Sequence, residues 1–216
     1  DGDTSFYKYD GITGFWGIPN KVSEIYYDVN PNKSFVARHN SDGNRDIEFN
    51  PDKNKKTIVC LGGSPSWGVA VDDAERYSDL VRELLDCNVV NMAHPSLGLD
   101  QIALALFTKV QKLSPDIIII EQYPWAIHRI ITTYVNGYFR PGFKILENGK
   151  LCRKEMPPLA KFKIFRSIVG AYYQYEKQFS EYRSGIDLSN NYDPLSDPIF
   201  LVWRSHHYDY MYKLAE

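Results

Sequence analysis

Three short apolar runs, separated by two amphipathic stretches, constrain the fold of this chain more than any other feature. The runs are Ile58–Leu61, Asn88–Met92 and Asp116–Glu121, and each is too short to be a helix. The apolar spacing between them predicts helices over Glu75–Asp86 and Leu99–Leu113. This alternation of strand and helix predicts right-handed crossovers and a doubly wound parallel sheet of the α/β class. The third run is apolar on both faces, which predicts a buried parallel strand.

The first apolar run ends at a glycine pair that is followed by a hydroxyl group. Gly62 and Gly63 allow a sharp turn because neither residue carries a Cβ atom, and Ser64 then follows the carboxyl end of the predicted strand. Open α/β sheets bind their ligands at that edge. Two interpretations stay open at this point: Ser64 is a functional hydroxyl, or the stretch is an ordinary tight turn with a capping serine.

Composition excludes several classes of function. The 216 residues are 44% hydrophobic, which is enough for one domain with a sizeable core. A net charge of −2 offers no electrostatic basis for binding nucleic acid. No apolar stretch of the sequence reaches the roughly 18 residues of a membrane-spanning helix. The three cysteines lack the spacing of a disulfide framework.

The sequence predicts neither a cofactor nor a metal ion. Gly62-Gly63-Ser64 lacks the lysine of a phosphate-binding loop and the third glycine of a dinucleotide-binding turn. His206 and His207 are adjacent in sequence. They therefore point to different sides of a helix and do not form the zinc-binding pair found at i and i+4.

The residues before the predicted sheet have a different character. Residues 1–54 are polar, with little helical period, and are expected to form an N-terminal arm that packs on the core as an accessory layer. Short strands are predicted at Ile25–Val29 and Ser34–His39, joined by a turn at residues 30–32.

The residues after the predicted sheet form an expected insertion over 130–196. Alternation of apolar and polar residues around Asn-Gly predicts a hairpin over Phe143–Cys152. A long helix is predicted over Leu159–Arg183, and Asp197-Pro198 predicts the start of a final helix that runs to Ala215.

Two blocks of the sequence resemble those of the SGNH/GDSL hydrolase family. Residues 62–73, GGSPSWGVAVDD, are similar to the family's first block in its variant with glycine before the nucleophile. Residues 91–101, NMAHPSLGLDQ, are similar to its second block. The resemblance covers roughly residues 55–130. It implies a flavodoxin-like SGNH fold over residues 55–216 and a nucleophilic role for Ser64.

The resemblance also implies where an oxyanion would be held. The family uses the N–H of the nucleophile, a glycine N–H of the second block and an asparagine side chain of the third block. These positions fall on Ser64, on Ser96 with Gly98 two residues further on, and on a third block that departs from the family pattern. Gln122 is the candidate donor in that third block. Alternatively, Glu121 and Arg129 pair there, and some SGNH-like O-acetyltransferases carry Glu and Arg in this neighbourhood.

The family's general base belongs to an Asp-x-x-His block near the end of the domain, and this sequence contains no such block. The family fold has about five parallel strands, of which three are predicted here. We therefore expect the domain to be incomplete at its C-terminus and the base to lie outside these residues. The histidines that remain candidates within the chain are His94, His128, His206 and His207.

These features predict a serine esterase or O-acyltransferase of SGNH type, with Ser64 as the nucleophile. The expected substrate is a small-molecule or glycan ester, with a carbohydrate preferred because of the family resemblance and the 16 tyrosines. The alternative is a non-catalytic SGNH-fold module that binds a glycan or another protein. A third interpretation is a subunit whose missing strands come from another chain.

Overall fold

The computed structural model describes residues 6–27, 30–122, 129, 134–135, 137–154 and 156–171. The fold is mixed α/β, and the chain divides into two compact units, Asp1–Gly142 and Phe143–Glu216. The strands of the first unit are β1 (Tyr7–Asp10), β2 (Gly14–Gly17), β3 (Val22–Tyr27), β4 (Asn30–Arg38), β5 (Thr57–Leu61), β6 (Asn88–Asn91), β7 (Ile117–Ile120), β8 (Tyr134–Val135) and β9 (Tyr138–Phe139). Its helices are α1 (Ser64–Trp67), α2 (Tyr77–Leu85) and α3 (Leu99–Thr108), with 3₁₀ turns at Asp73–Glu75 and Val110–Leu113.

The centre of the first unit is a parallel sheet of three strands in the order β6-β5-β7. Cys60 pairs with Asn91 of β6, and Leu61 pairs with Ile120 of β7. The three carboxyl ends therefore meet at one edge of the sheet. This confirms the predicted parallel strands, with bounds that differ by one residue at a few ends.

The two predicted helices cover opposite faces of this sheet. Val59, Leu61 and Val90 point into a core shared with Ile102 and Ala105 of α3. Ile58, Cys60 and Val89 point to the other side, where Tyr77 and Val81 of α2 pack against them. The period of two along β5 and β6 thus divides the side chains between two layers.

The third parallel strand is exposed, so the prediction of a buried strand is wrong for the described residues. Ile117, Ile118, Ile119 and Ile120 are 49%, 40%, 36% and 39% exposed. The physical reason is that β7 is an edge strand whose one described partner is β5. An apolar run indicates that a strand is compatible with burial on both faces. It does not indicate whether other elements pack on those faces.

The N-terminal arm consists of two antiparallel hairpins, β1–β2 and β3–β4. The first hairpin adds to the predicted elements, and its sequence signal is Asp10-Gly11. The carboxylate of Asp10 closes the turn by accepting hydrogen bonds from Ile12 N and Thr13 N. β4 begins at Asn30, within the predicted turn. Phe15 and Trp16 of β2 are buried in the core that α3 shares with the sheet. The arm therefore packs on the sheet and α3 and contributes two aromatic side chains to their core.

The second unit contains the predicted hairpin, formed by β10 (Gly142–Ile145) and β11 (Leu151–Lys154). Gly149 in its turn has a φ of +78°, a left-handed conformation that favours glycine. A 3₁₀ turn at Pro158–Lys161 precedes a helix that is described over residues 163–171. The rest of the predicted long helix and the predicted final helix lie outside the described residues.

Candidate functional site

Ser64 is the first residue of α1 and lies directly beyond the carboxyl end of β5. The helix is a single turn, with Pro65 near its start and Gly68 closing it in a left-handed conformation (φ +91°). Ser64 is half-buried, and its hydroxyl makes no hydrogen bond to the described part of the chain. Ser66, two residues further on, is 1% exposed. Ser64 is therefore the serine of this turn that presents its side chain at the surface.

The loop after β6 lies beside the Ser64 turn. His94 N donates to Gly62 O at 3.2 Å, which ties the two loops together at the edge of the sheet. Ser96 has a φ of +66°, the left-handed conformation that glycine adopts at least cost. The position where the resemblance implies a glycine thus has a backbone that glycine would suit.

The N–H of Gly98, a predicted oxyanion donor, belongs to the cap of α3. It donates to Gln101 Oε1 at 3.1 Å, so this donor is already engaged. A Cβ atom at Gly98 would lie 1.9 Å from Nη2 of Arg140 and 2.6 Å from Oδ1 of Asp100. Glycine is needed here because a buried ion pair approaches the backbone.

The buried ion pair of Asp100 and Arg140 stabilises the loop that contains Ser96. Arg140 Nη2 lies 2.8 Å from Asp100 Oδ1, and both side chains are almost fully buried. Burial raises the pKa of Asp100 to about 6, although Arg140 acts to lower it. Arg140 also donates to the carbonyl of Arg129, and Arg129 Nη1 donates to Leu97 O at 3.0 Å. The loop that contains Ser96 is thus held by two arginines that follow the sheet in sequence.

Glu121 brings a carboxylate to the Ser64 turn. It follows β7 directly, and its Oε2 accepts the N–H of Ser66 at 2.8 Å. The same oxygen would lie 2.6 Å from a Cβ atom built on Gly62. Glu121 therefore occupies the space that the absent side chain of Gly62 leaves. Glu121 and Arg129, which were the alternative pair, do not bind each other. Glu121 accepts from Ser66 N, and Arg129 donates to Leu97 O.

A buried polar network fixes the floor of the turn. Asn91 Nδ2 donates to Ser66 O at 2.8 Å, and Asn91 N donates to Asp46 Oδ2 at 2.7 Å. Tyr77 OH lies 3.2 Å from Ser66 Oγ. Burial raises the pKa of the Asp46 carboxyl, whereas the charge of Arg82 acts to lower it. These bonds connect α1 with β6, α2 and the N-terminal arm.

Arg45 of the N-terminal arm holds the loop that follows α1. Its guanidinium donates to the carbonyl of Gly68 and, at 2.8 Å, to Val71 O. It also pairs with Asp73 at 3.0 Å and lies 4.7 Å from the centre of the Trp67 ring. The fully buried Arg45 was not identified from the sequence, since an arginine in a polar segment carries no signal of burial.

His94, a candidate base, lies in the core and makes no hydrogen bond to Ser64. It is 0% exposed, and its ring centre lies 4.2 Å from that of Trp16 and 6.0 Å from that of His39. Neither ring nitrogen has a hydrogen-bond partner among the described residues. Burial, followed by the neighbouring His39, lowers the pKa of His94 well below its usual 6.5. His94 is therefore a neutral core residue.

The remaining predicted site residues are Gln122 and three histidines. Gln122 is exposed at the edge of the sheet. His128, His206 and His207 lie outside the described residues. Among the residues that are described, no group of three or more His, Cys, Asp or Glu side chains is arranged to hold a metal ion. No helix in the same ranges is both long and apolar enough to cross a membrane.

Comparison with known proteins identifies no relative. No protein-family profile, no curated protein and no solved structure matches this chain. The class that can be stated is therefore that of the fold itself: a mixed α/β protein with a small parallel sheet, whose loops bring Ser64, Ser96 and Glu121 to one edge.

Proposed function

We propose that this chain is the core of an SGNH-type serine esterase or O-acyltransferase, with Ser64 as its nucleophile. The observation that carries the proposal is the meeting of two loops at the carboxyl edge of the sheet. One loop presents the half-buried Ser64, and the other contains Ser96 in a left-handed conformation. The hydrogen bond from His94 N to Gly62 O keeps them side by side. Ligand sites of open α/β sheets lie at this edge.

The proposed reaction is acyl transfer through a covalent intermediate. Ser64 Oγ attacks the ester carbonyl, and its proton passes to a base. Backbone N–H groups of Ser64 and Ser96 stabilise the negative oxygen that forms. The proton then goes to the leaving alcohol as the ester bond breaks. Water or a second hydroxyl releases the acyl group from Ser64, which regenerates the free enzyme.

The base in this proposal is a histidine outside the described residues. His128, His206 and His207 stay candidates within the chain, and a histidine from elsewhere in a longer protein or from another chain is the fourth possibility. The proposal does not use His94, which is buried and makes no hydrogen bond to Ser64. The proposed substrate is an O-acylated small molecule or glycan, because the family resemblance points to esters.

Labelling with a serine-directed fluorophosphonate tests the proposal. The natively isolated protein should gain one adduct, mapped by mass spectrometry to the peptide that contains Ser64. Ser64→Ala should abolish the adduct. Ser66→Ala is the matched control, because this neighbouring serine is buried and should not react. An unlabelled wild-type protein, or an adduct that persists in Ser64→Ala, refutes a nucleophilic Ser64.

A second function is favoured by a separate observation. The four exposed isoleucines of β7 form an apolar edge strand, and such edges pair with further strands. We propose as the alternative a non-catalytic SGNH-fold module in which another chain supplies those strands. Under this alternative Ser64 is not labelled, and the natively isolated protein has a mass well above the 25.0 kDa of one chain.

A further inference from the structure

The carboxylate beside the Ser64 turn has a fixed position. Glu121 N donates to Leu61 O at 2.9 Å, which extends the pairing of β7 with β5 by one residue. The side chain is then held over Gly62 by the bond from Ser66 N to Oε2. The carboxylate thus touches the Ser64 turn at Gly62 and at Ser66, the positions two residues before and two residues after the proposed nucleophile.

No cation neutralises this carboxylate within the described part of the chain. Glu121 belongs to none of the ion pairs found there, and its one hydrogen bond comes from a neutral peptide N–H. Two basic residues of this edge are engaged elsewhere, since Arg140 pairs with Asp100 and Arg129 donates to Leu97 O. Among the described residues, the carboxylate at the Ser64 edge therefore has no cation paired with it.

An uncompensated charge at a binding site acts on the substrate. It repels a negative group and attracts a positive one, and the effect is larger in a partly desolvated site than in bulk water. A hydroxyl group is also accommodated, because a carboxylate accepts its hydrogen bond. The negative charge of Glu121 therefore favours or disfavours an ester according to the charge of the groups next to its scissile bond.

We infer that Glu121 makes the Ser64 site selective for acyl esters with neutral, hydroxylated or cationic groups near the ester bond, and that it rejects esters with a carboxylate there. The inference rests on the proposed function and specifies its substrate class. Glu121 acts here on specificity through its charge. The hydrogen bond to Ser66 N is a separate, structural contribution of the same side chain.

Glu121→Gln separates the two contributions, since the amide oxygen still accepts the Ser66 N–H while the charge is lost. The assay compares kcat/KM for two esters with the same acyl chain, neutral 4-nitrophenyl methyl succinate and anionic 4-nitrophenyl hemisuccinate. We expect the wild type to prefer the neutral ester and Glu121→Gln to lower that preference by about fivefold or more. Added salt should weaken the preference of the wild type and leave that of the variant unchanged.

Glu83→Gln is the control, because it removes the same charge from an exposed position in the last turn of α2. A crossover helix runs antiparallel to its strands, so this turn lies toward the opposite edge of the sheet. The preference should be unchanged in this variant. An equal preference in the wild type and Glu121→Gln, with both esters turned over, refutes the inference alone. If the wild type turns over neither ester, the proposed function fails and the inference fails with it.

Discussion

The buried His94 makes the stability of this protein depend on pH in a way that one substitution should reveal. Burial lowers the pKa of His94 in the folded state well below 6.5, the usual value that it has in the unfolded chain. As the pH falls through 6.5, the unfolded chain therefore takes up a proton that the folded state does not. By linkage, folding loses stability with acid over this range.

The size of the loss follows from this difference in bound protons. Each proton bound only by the unfolded state changes the free energy of unfolding by about 1.4 kcal/mol per pH unit. Integrated from about pH 7 to about pH 5, the loss is at most about 2 kcal/mol, the limit in which folded His94 binds no proton over this range. Asp100 acts in the opposite direction, because its folded pKa of about 6 lies above the usual 3.8. The difference between wild type and a variant isolates His94.

His94→Leu is the variant of choice, because neither ring nitrogen has a hydrogen-bond partner in the described structure. We expect its stability at about pH 7 to lie within about 1 kcal/mol of the wild type. Between about pH 7 and pH 5 it should lose less stability than the wild type does, by up to about 2 kcal/mol. Urea denaturation followed by the fluorescence of the buried Trp16 and Trp67 measures both quantities.

His39→Leu is the matched comparison. The ring of His39 lies 6.0 Å from that of His94, but its Nδ1 donates to Ile18 O at 3.0 Å. Its loss should cost about 1 kcal/mol at about pH 7, since the Ile18 carbonyl loses the shorter of two hydrogen bonds and keeps the one from Lys21 N at 3.4 Å. If His94→Leu shows the same loss of stability between the two pH values as the wild type, the reasoning about His94 is refuted.

Three further substitutions test the buried ion pair and the exposed edge. Asp100→Asn should cost about 3 kcal/mol or more in urea denaturation, since it leaves the buried Arg140 without its carboxylate; a loss below about 1 kcal/mol would contradict this. Gly98→Ala should lower the melting temperature, because its Cβ would lie 1.9 Å from Arg140, whereas Gly11→Ala, with its nearest atom at 4.0 Å, should change it little. Ile118→Lys should change stability by less than about 1 kcal/mol, because Ile118 is 40% exposed, and should reduce any self-association seen by sedimentation velocity.

The central elements could be predicted because their signals are local. Ile58–Leu61 and Asn88–Met92 are short apolar runs, and the segments that follow them repeat apolar residues at helical spacing. The strands, the helices and their order along the chain therefore follow from the sequence. The place of Ser64 follows as well, since a glycine pair after a strand leaves the next residue at the sheet edge.

The surroundings of the site could not be predicted in the same way. Glu121 approaches Gly62 across 59 residues of sequence, and Arg140 reaches Asp100 across 40. No periodicity connects such positions, because each contact depends on the register between strands and the path of a loop. Arg45 shows the same limit, since its burial depends on carbonyl groups of a loop more than 20 residues away.

Local patterns in the sequence are sufficient to predict the parallel strands, the two helices that cover them and the serine at their edge. These features depend on hydrophobic period and on glycine conformation, both of which act between near neighbours. The tertiary structure decided which charges meet at that edge. It buried His94 as a neutral side chain, engaged Gly98 N–H in a cap and left the carboxylate of Glu121 beside Ser64. Charge and hydrogen bonding act through space, so the charged and polar groups around Ser64 depend on the folded arrangement.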